Sequence, residues 1–179
     1  MCIRDSTYGH FNPGVGLTYK ITGNMTGYAG WSEGNRAPTP AELSCSNPSS
    51  PCLIDAFLVS EPPLKQVVSH TFEAGLRGNF TTPQTIPGHF VWNLGVYRTN
   101  AFNDILILAT QINGFGYFSN VGETRRQGIE AGLSYNWNKW TVNLNYSFLS
   151  ATFLENLTLS SNSPAADANG DIFVHPGDT

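Results

Sequence analysis

Along most of the chain, apolar and polar residues alternate one by one. From Phe11 to Thr22 the odd positions carry Phe11, Pro13, Val15, Leu17, Tyr19 and Ile21, and the even ones Asn12, Gly14, Gly16, Thr18, Lys20 and Thr22. The same rhythm sets Phe72, Ala74, Leu76 and Phe80 against Glu73, Gly75, Arg77 and Asn79. It sets Ile129, Ala131, Leu133, Tyr135 and Trp137 against Glu130, Gly132, Ser134 and Asn136, and Trp140, Val142, Leu144, Tyr146 and Phe148 against Thr141, Asn143, Asn145 and Ser147. Successive side chains of an extended strand point to opposite faces, so each run is a strand with one apolar and one polar side. A helix would repeat about every 3.6 residues, and no such stripe is present. The pattern predicts six strands, near 7–22, 24–33, 67–80, 90–111, 116–137 and 140–154. Unbroken, 90–111 and 116–137 would each reach roughly 70 Å at about 3.3 Å per residue.

The connections alternate in length. Gly23-Asn24 and Asn138-Lys139 are tight turns, and 81–89 is intermediate. On the other side, 34–66 is long and rich in Pro and Ser, 155–179 is long and polar, and Asn113-Gly114 turns the tip of the two longest strands. Short turns on one side and long excursions on the other characterise membrane barrels. A soluble β-sandwich also alternates, but carries charges on its solvent face. Here only 12% of residues are charged, against about 25% in ordinary soluble domains, and the polar face is mostly Gly, Asn, Ser and Thr. Trp137 and Trp140 flank a turn, where aromatic rings suit the headgroup level of a bilayer. The fold class predicted is therefore all-β, an antiparallel up-and-down transmembrane β-barrel. Such barrels need at least about eight strands, and 171–179 does not read as a strand, so the chain is expected to be an incomplete fragment. Residues 1–6 fit no pattern and are set aside as a non-native start. The strands are then expected to fill 7–154, with 155–179 expected as a truncated extracellular loop.

The net charge of −4 and the pI of 5.4 give no basic footprint for nucleic acid. No Gly-x-Ser-x-Gly, His-Glu-x-x-His or phosphate loop is present, so no enzyme and no cofactor are expected. His10, His70, His89 and His175 lack ligand spacing, and Asp167, Asn169 and Asp171 depart from a calcium loop, because Ile172 stands where its glycine belongs. No metal is expected. His70, on the apolar face near a strand end, reads as an interfacial aromatic. Cys45 and Cys52 share the 34–66 loop; they read as a local disulfide in an oxidising compartment, with two unrelated thiols as the alternative.

Four motifs in order carry a family resemblance. The stretch Gly34-Asn35-Arg36-Ala37-Pro38-Thr39-Pro40-Ala41-Glu42-Leu43 resembles the Arg-x-Pro…Glu-Leu motif of TonB-dependent outer-membrane receptors. Pro63-Leu64-Lys65-Gln66 with Phe72-Glu73-Ala74-Gly75-Leu76-Arg77-Gly78 is similar to the strand that follows it there, and Asn103-Asp104-Ile105 to the next. Asn120-Val121-Gly122 followed by Gly128-Ile129-Glu130 resembles the family's Asn-Val-Gly…Gly-x-Glu strand. The resemblance implies part of the C-terminal half of a larger barrel, without the plug domain. It implies as partners a TonB complex acting through that plug, outer-membrane lipid, and a scarce small ligand such as a ferric siderophore or other iron chelate, imported with proton-motive force. Ligand contacts are expected from loop 34–66 and the lumen face. Glu73, Arg77 and Glu130 are predicted to share that face, as charges hydrating the wall or meeting the plug. Gly122, Gly128 and Gly132 are expected at bulges or at close approach of the plug. A non-transporting surface or signalling barrel and a soluble β-rich binding module are the alternatives.

Overall fold

The computed structural model describes residues 7–44, 52–53, 64–82, 87–109, 115–160, 164–168 and 170–179. Its centre is one antiparallel sheet of six strands: β1 (Gly14–Thr22), β2 (Met25–Arg36), β4 (Val67–Thr82), β5 (Gly88–Phe102), β8 (Thr124–Trp137) and β9 (Trp140–Phe153). Neighbours in the sheet follow the chain order, so the topology is up-and-down. Between them lie α1 (Pro40–Ser44), the short β3 (Cys52–Leu53), β6 (Ile105–Ala109) and β7 (Phe115–Asn120), with β10 (Leu157–Ser160) and β11 (Asp171–Val174) last. Asn138, at φ 51°, makes the tight turn between β8 and β9.

The two longest predicted strands are each interrupted. Asn103 takes φ 53° and Gly122 φ 83°, conformations that end an extended run. Beyond them β6, β7 and β3 form a separate small sheet, so the unbroken 70 Å ribbons expected from sequence do not form. The 155–179 segment is also more ordered than its polarity suggests, because β10 and β11 pair as a hairpin, from Leu157 with Val174 to Ser160 with Asp171. Residues 7–13, predicted as the start of β1, do not join the strand; the Pro13 carbonyl accepts from the Glu33 N–H of β2 at 2.9 Å, and Asn12 Nδ2 donates to Asn35 Oδ1 at 2.9 Å. The Asn113-Gly114 turn lies outside the described residues.

The register assembles the alternation into two faces. Across the sheet, Leu17, Ala29, Ala74, Val96, Ile129 and Phe148 share one face row, and Thr18, Tyr28, Gly75, Gly95, Glu130 and Ser147 share one on the other. Among the described residues, no second layer of protein covers the first face. Even on strands with a neighbour on both sides, Phe72 is 59% exposed, Val96 50% and Leu94 44%. The buried apolar residues among those described are Leu64, Val67, Ala101, Ile105 and Val121, all at the end of the sheet where the long connections emerge. The sheet thus lacks the core that stabilises a water-soluble β-protein.

Rings collect at both ends of the apolar face. At the short-turn end Phe80, Phe90 and Tyr135 stack, with centroids 4.8 Å and 4.6 Å apart, and Trp137 pairs with Trp140. At the other end Trp31 lies against Phe72 and His70, and His70 against Phe102 at 5.0 Å. On β4 the span from Phe72 to Phe80 is roughly 26 Å along the strand at about 3.3 Å per residue. Tilted by about 40°, that rises about 20 Å, most of the apolar band of a membrane barrel, which is about 25 Å tall.

Candidate functional site

The polar face is paved with glycine, and tyrosines lie flat on it. A Cβ on Gly75 would sit 2.5 Å from the ring and hydroxyl of Tyr28 and from the Leu94 carbonyl oxygen. The Tyr28 hydroxyl reaches on to Gly95, and the Tyr97 hydroxyl lies over Gly128. Gly132 makes the same room for Asn93, and Gly30 for Glu73. Gly128 and Gly132 stand in regular register with no bulge. Large side chains are thereby kept against the wall, leaving a concavity of about 670 Å³ above Thr18, Tyr28, Gly30, Glu73, Arg77 and Asn93.

Glu73, Arg77 and Glu130 do share this face, as their parity predicted. Among the described residues they form no ion pair with one another, so they stand as separate charges. Gly78, from the same motif as Glu73 and Gly75, belongs to the opposite face, where the Trp92 ring would meet an added Cβ at 3.0 Å.

At the long-loop end, the motif residues build the rim. Thr39 and Glu42 cap α1 reciprocally: the Thr39 N–H donates to Glu42 Oε2 at 2.7 Å, and the Glu42 N–H donates to Thr39 Oγ1 at 3.3 Å. Pro40 occupies the first helical position, where a missing N–H costs nothing. This is a capping box, a feature the sequence reading missed and for which the Thr-x-x-Glu spacing is the signal. Arg36 closes the turn with a two-pronged bond to Glu42, at 3.0 Å and 2.7 Å. Burial pushes the Glu42 pKa up, but the bonds from Arg36 and Thr39, together with the Arg36 charge, bring it below the ordinary value of 4.5. Pro38 is buried in the same turn, and Leu43 packs on Leu64, Val67, Ala101 and Ile105 together with Phe118.

The break between sheet and rim is knotted by two side chains. Asn120 accepts from the Lys65 N–H at 2.9 Å and donates to the carbonyls of Lys65 at 3.1 Å and Asn103 at 2.7 Å. Asp104, which is buried, accepts from the Ile105 N–H at 3.0 Å, the Thr124 hydroxyl at 2.7 Å and Arg126 Nη2 at 2.9 Å. Val121 between them is 2% exposed, and its N–H donates to the Asp104 carbonyl at 2.8 Å. At Gly122 the place of a side chain is taken by the Glu155 carboxylate. Asp104, from the Asn103-Asp104-Ile105 motif, is the acceptor on which the knot converges. Cys45 lies outside the described residues, and with it the expected pairing to Cys52. Among the described residues no cluster of His, Cys, Asp or Glu is arranged to hold a metal ion.

The family model described as TonB dependent receptor-like, beta-barrel matches residues 3–174. The chain belongs to that family. No curated protein matches the chain. For a TonB-dependent receptor-like barrel the two faces acquire a sense: an apolar outer surface, and a polar inner surface lined by Tyr28, Glu73, Arg77, Tyr97 and Glu130. The rim motifs of this receptor-like barrel clamp loops to the wall: Asn35 Nδ2 donates to Gln66 Oε1 at 3.2 Å, and Asn120 bonds both Lys65 and Asn103.

Proposed function

We propose that this sheet is a section of the wall of an outer-membrane TonB-dependent receptor that takes up a scarce iron chelate, such as a ferric siderophore, into the periplasm. The observation that carries the reading is the broad apolar face, bounded by rings at both ends and covered by no layer of protein among the described residues. A soluble binding module would have to bury that surface; contiguous exposed apolar patches beyond a few hundred Å² mark interaction or membrane sites. The family supports uptake as the proposed activity: in the whole receptor a plug domain would close the lumen and TonB would move it with proton-motive force, while the glycine-paved inner wall leaves room for plug and cargo. Loop 34–66 and the lumen face are the proposed ligand contacts. An iron chelate is proposed as cargo on the resemblance of the four motifs.

The test uses the receptor that carries these strands, reconstituted in lipid vesicles. Spin labels at Leu133 and Leu144 are expected to be relaxed by dissolved oxygen and shielded from a water-soluble nickel chelate, with labels at Ser134 and Asn145 giving the reverse. Outer-face labels that only the nickel chelate reaches would end the membrane reading. Uptake of radioactive iron as a series of chelates, with and without a proton uncoupler, tests the cargo.

A further inference from the structure

Just above the apolar band, the outer face turns cationic on two adjacent strands. Arg98 on β5 stands opposite Gln127 on β8, and Asn100 opposite Arg125. Arg98 Nε donates to Gln127 Oε1 at 3.0 Å, and Arg125 Nε donates to Asn100 Oδ1 at 3.0 Å. Each guanidinium is thus tethered across the strand pair through one nitrogen, to a neutral acceptor. Among the described residues neither reaches a carboxylate within 4.0 Å, whereas Arg36 and Arg126 are paired with Glu42 and Asp104. Glu123, two residues before Arg125, accepts from Asn100 Nδ2 at 2.8 Å, and Glu33 on β2 faces His10 and His70. Two cations with no carboxylate in direct contact, bordering a hydrocarbon layer, favour an anion that comes from the layer itself. The two arginines, with Asn100 and Gln127, line the polar end of an open groove of about 830 Å³ whose other end is bordered by Phe72, Ala74, Val96, Ile129 and Phe148.

A cationic head site over an apolar groove is the negative image of an anionic amphiphile. The planar fork of arginine matches phosphate oxygens. We propose that Arg98 and Arg125 together hold the phosphate of an anionic membrane lipid whose acyl chain lies in the groove below them. The proposal rests on the reading that this face meets lipid.

Native mass spectrometry of the receptor carrying these strands, in a neutral detergent, tests it with phosphatidic acid, with phosphatidylcholine as control and inorganic phosphate as competitor. Phosphatidic acid is expected to be retained about thirtyfold better than phosphatidylcholine, as two basic residues near a charged headgroup warrant. The variant Arg98→Gln/Arg125→Gln should bring the two lipids level, while Arg98→Lys/Arg125→Lys keeps part of the difference. Equal retention by the wild type, or no change in the glutamine variant, would overturn the proposal. So would displacement of the lipid by millimolar inorganic phosphate, which would mark a site for free anions. If the double variant does not fold, Arg98→Gln alone is read in the same way, since Arg98 is exposed. The membrane reading fails separately, when the labels at Leu133 and Leu144 are found in water.

Discussion

Gly75 and Gly95 lie under the same tyrosine for different reasons, and the difference is measurable. An added methyl at Gly75 would meet both the Tyr28 ring and the Leu94 carbonyl oxygen at 2.5 Å. A backbone oxygen cannot swing away, so Gly75→Ala is expected to cost about 1–3 kcal/mol as overpacking does, and Tyr28→Phe should not recover it. At Gly95 the close neighbour is the Tyr28 hydroxyl alone, at 2.9 Å. That is the far end of a side chain. Alanine also relieves a strand of glycine's unfolded-state entropy, by about 0.5–1 kcal/mol, so Gly95→Ala should lie within about 0.5 kcal/mol of wild type. Urea unfolding of the vesicle-inserted receptor checks both, with the double-mutant cycle against Tyr28→Phe isolating the contact. Equal penalties at the two glycines would show that the tyrosine does not lie on the wall.

At the scale of elements, the rim turns on two polar centres that can be taken apart singly. Asp104→Ala leaves the Thr124 hydroxyl and the Ile105 N–H without their acceptor, at about 1–3 kcal/mol for buried groups. The loss is local, so hydrogen exchange in 105–120 should speed up while β4, β5 and β8 stay protected; uniform acceleration would make Asp104 part of the wall instead. The α1 turn carries a pH signature. The folded-state pKa of Glu42 lies below its ordinary value of 4.5, so its contribution is complete above that value and is lost as pH falls through the lowered one. Amide protection around 39–43 should decline below about pH 4.5 in the wild type, and Glu42→Gln should flatten that decline. The strands themselves were legible because period-two alternation and turn residues such as Gly23-Asn24 point the same way. The breaks were not. Ile105-Leu106-Ile107-Leu108 is apolar on both parities, which hides the shift in phase after Asn103. The β10–β11 hairpin was missed because four residues a side are too few to show a period amid Asn, Ser and Asp. Of the site, the facing of Glu73, Arg77 and Glu130 followed from parity, but the glycine-to-tyrosine contacts depend on register between strands, which one sequence does not carry.

For the whole molecule, the decisive quantity is what surrounds the ring-bearing face. Leu144 lies midway along the apolar run of β9 between Trp140 and Phe148, and its neighbour Asn145 faces inward beside Gly132. In hydrocarbon, an arginine at mid-depth costs about 2–4 kcal/mol, falling to about 0–1 kcal/mol near the interface. Leu144→Arg should therefore destabilise the receptor by that larger amount, and Val142→Arg, nearer the Trp137–Trp140 girdle, by less. Asn145→Arg, one residue away but on the polar face, should be close to neutral. A protein layer over the same face would give another pattern, because a buried arginine is penalised at every packed position regardless of its height. Unfolding free energies for the three variants in vesicles distinguish the two, and a Val142→Arg cost equal to that of Leu144→Arg would favour protein over lipid as the partner of this surface.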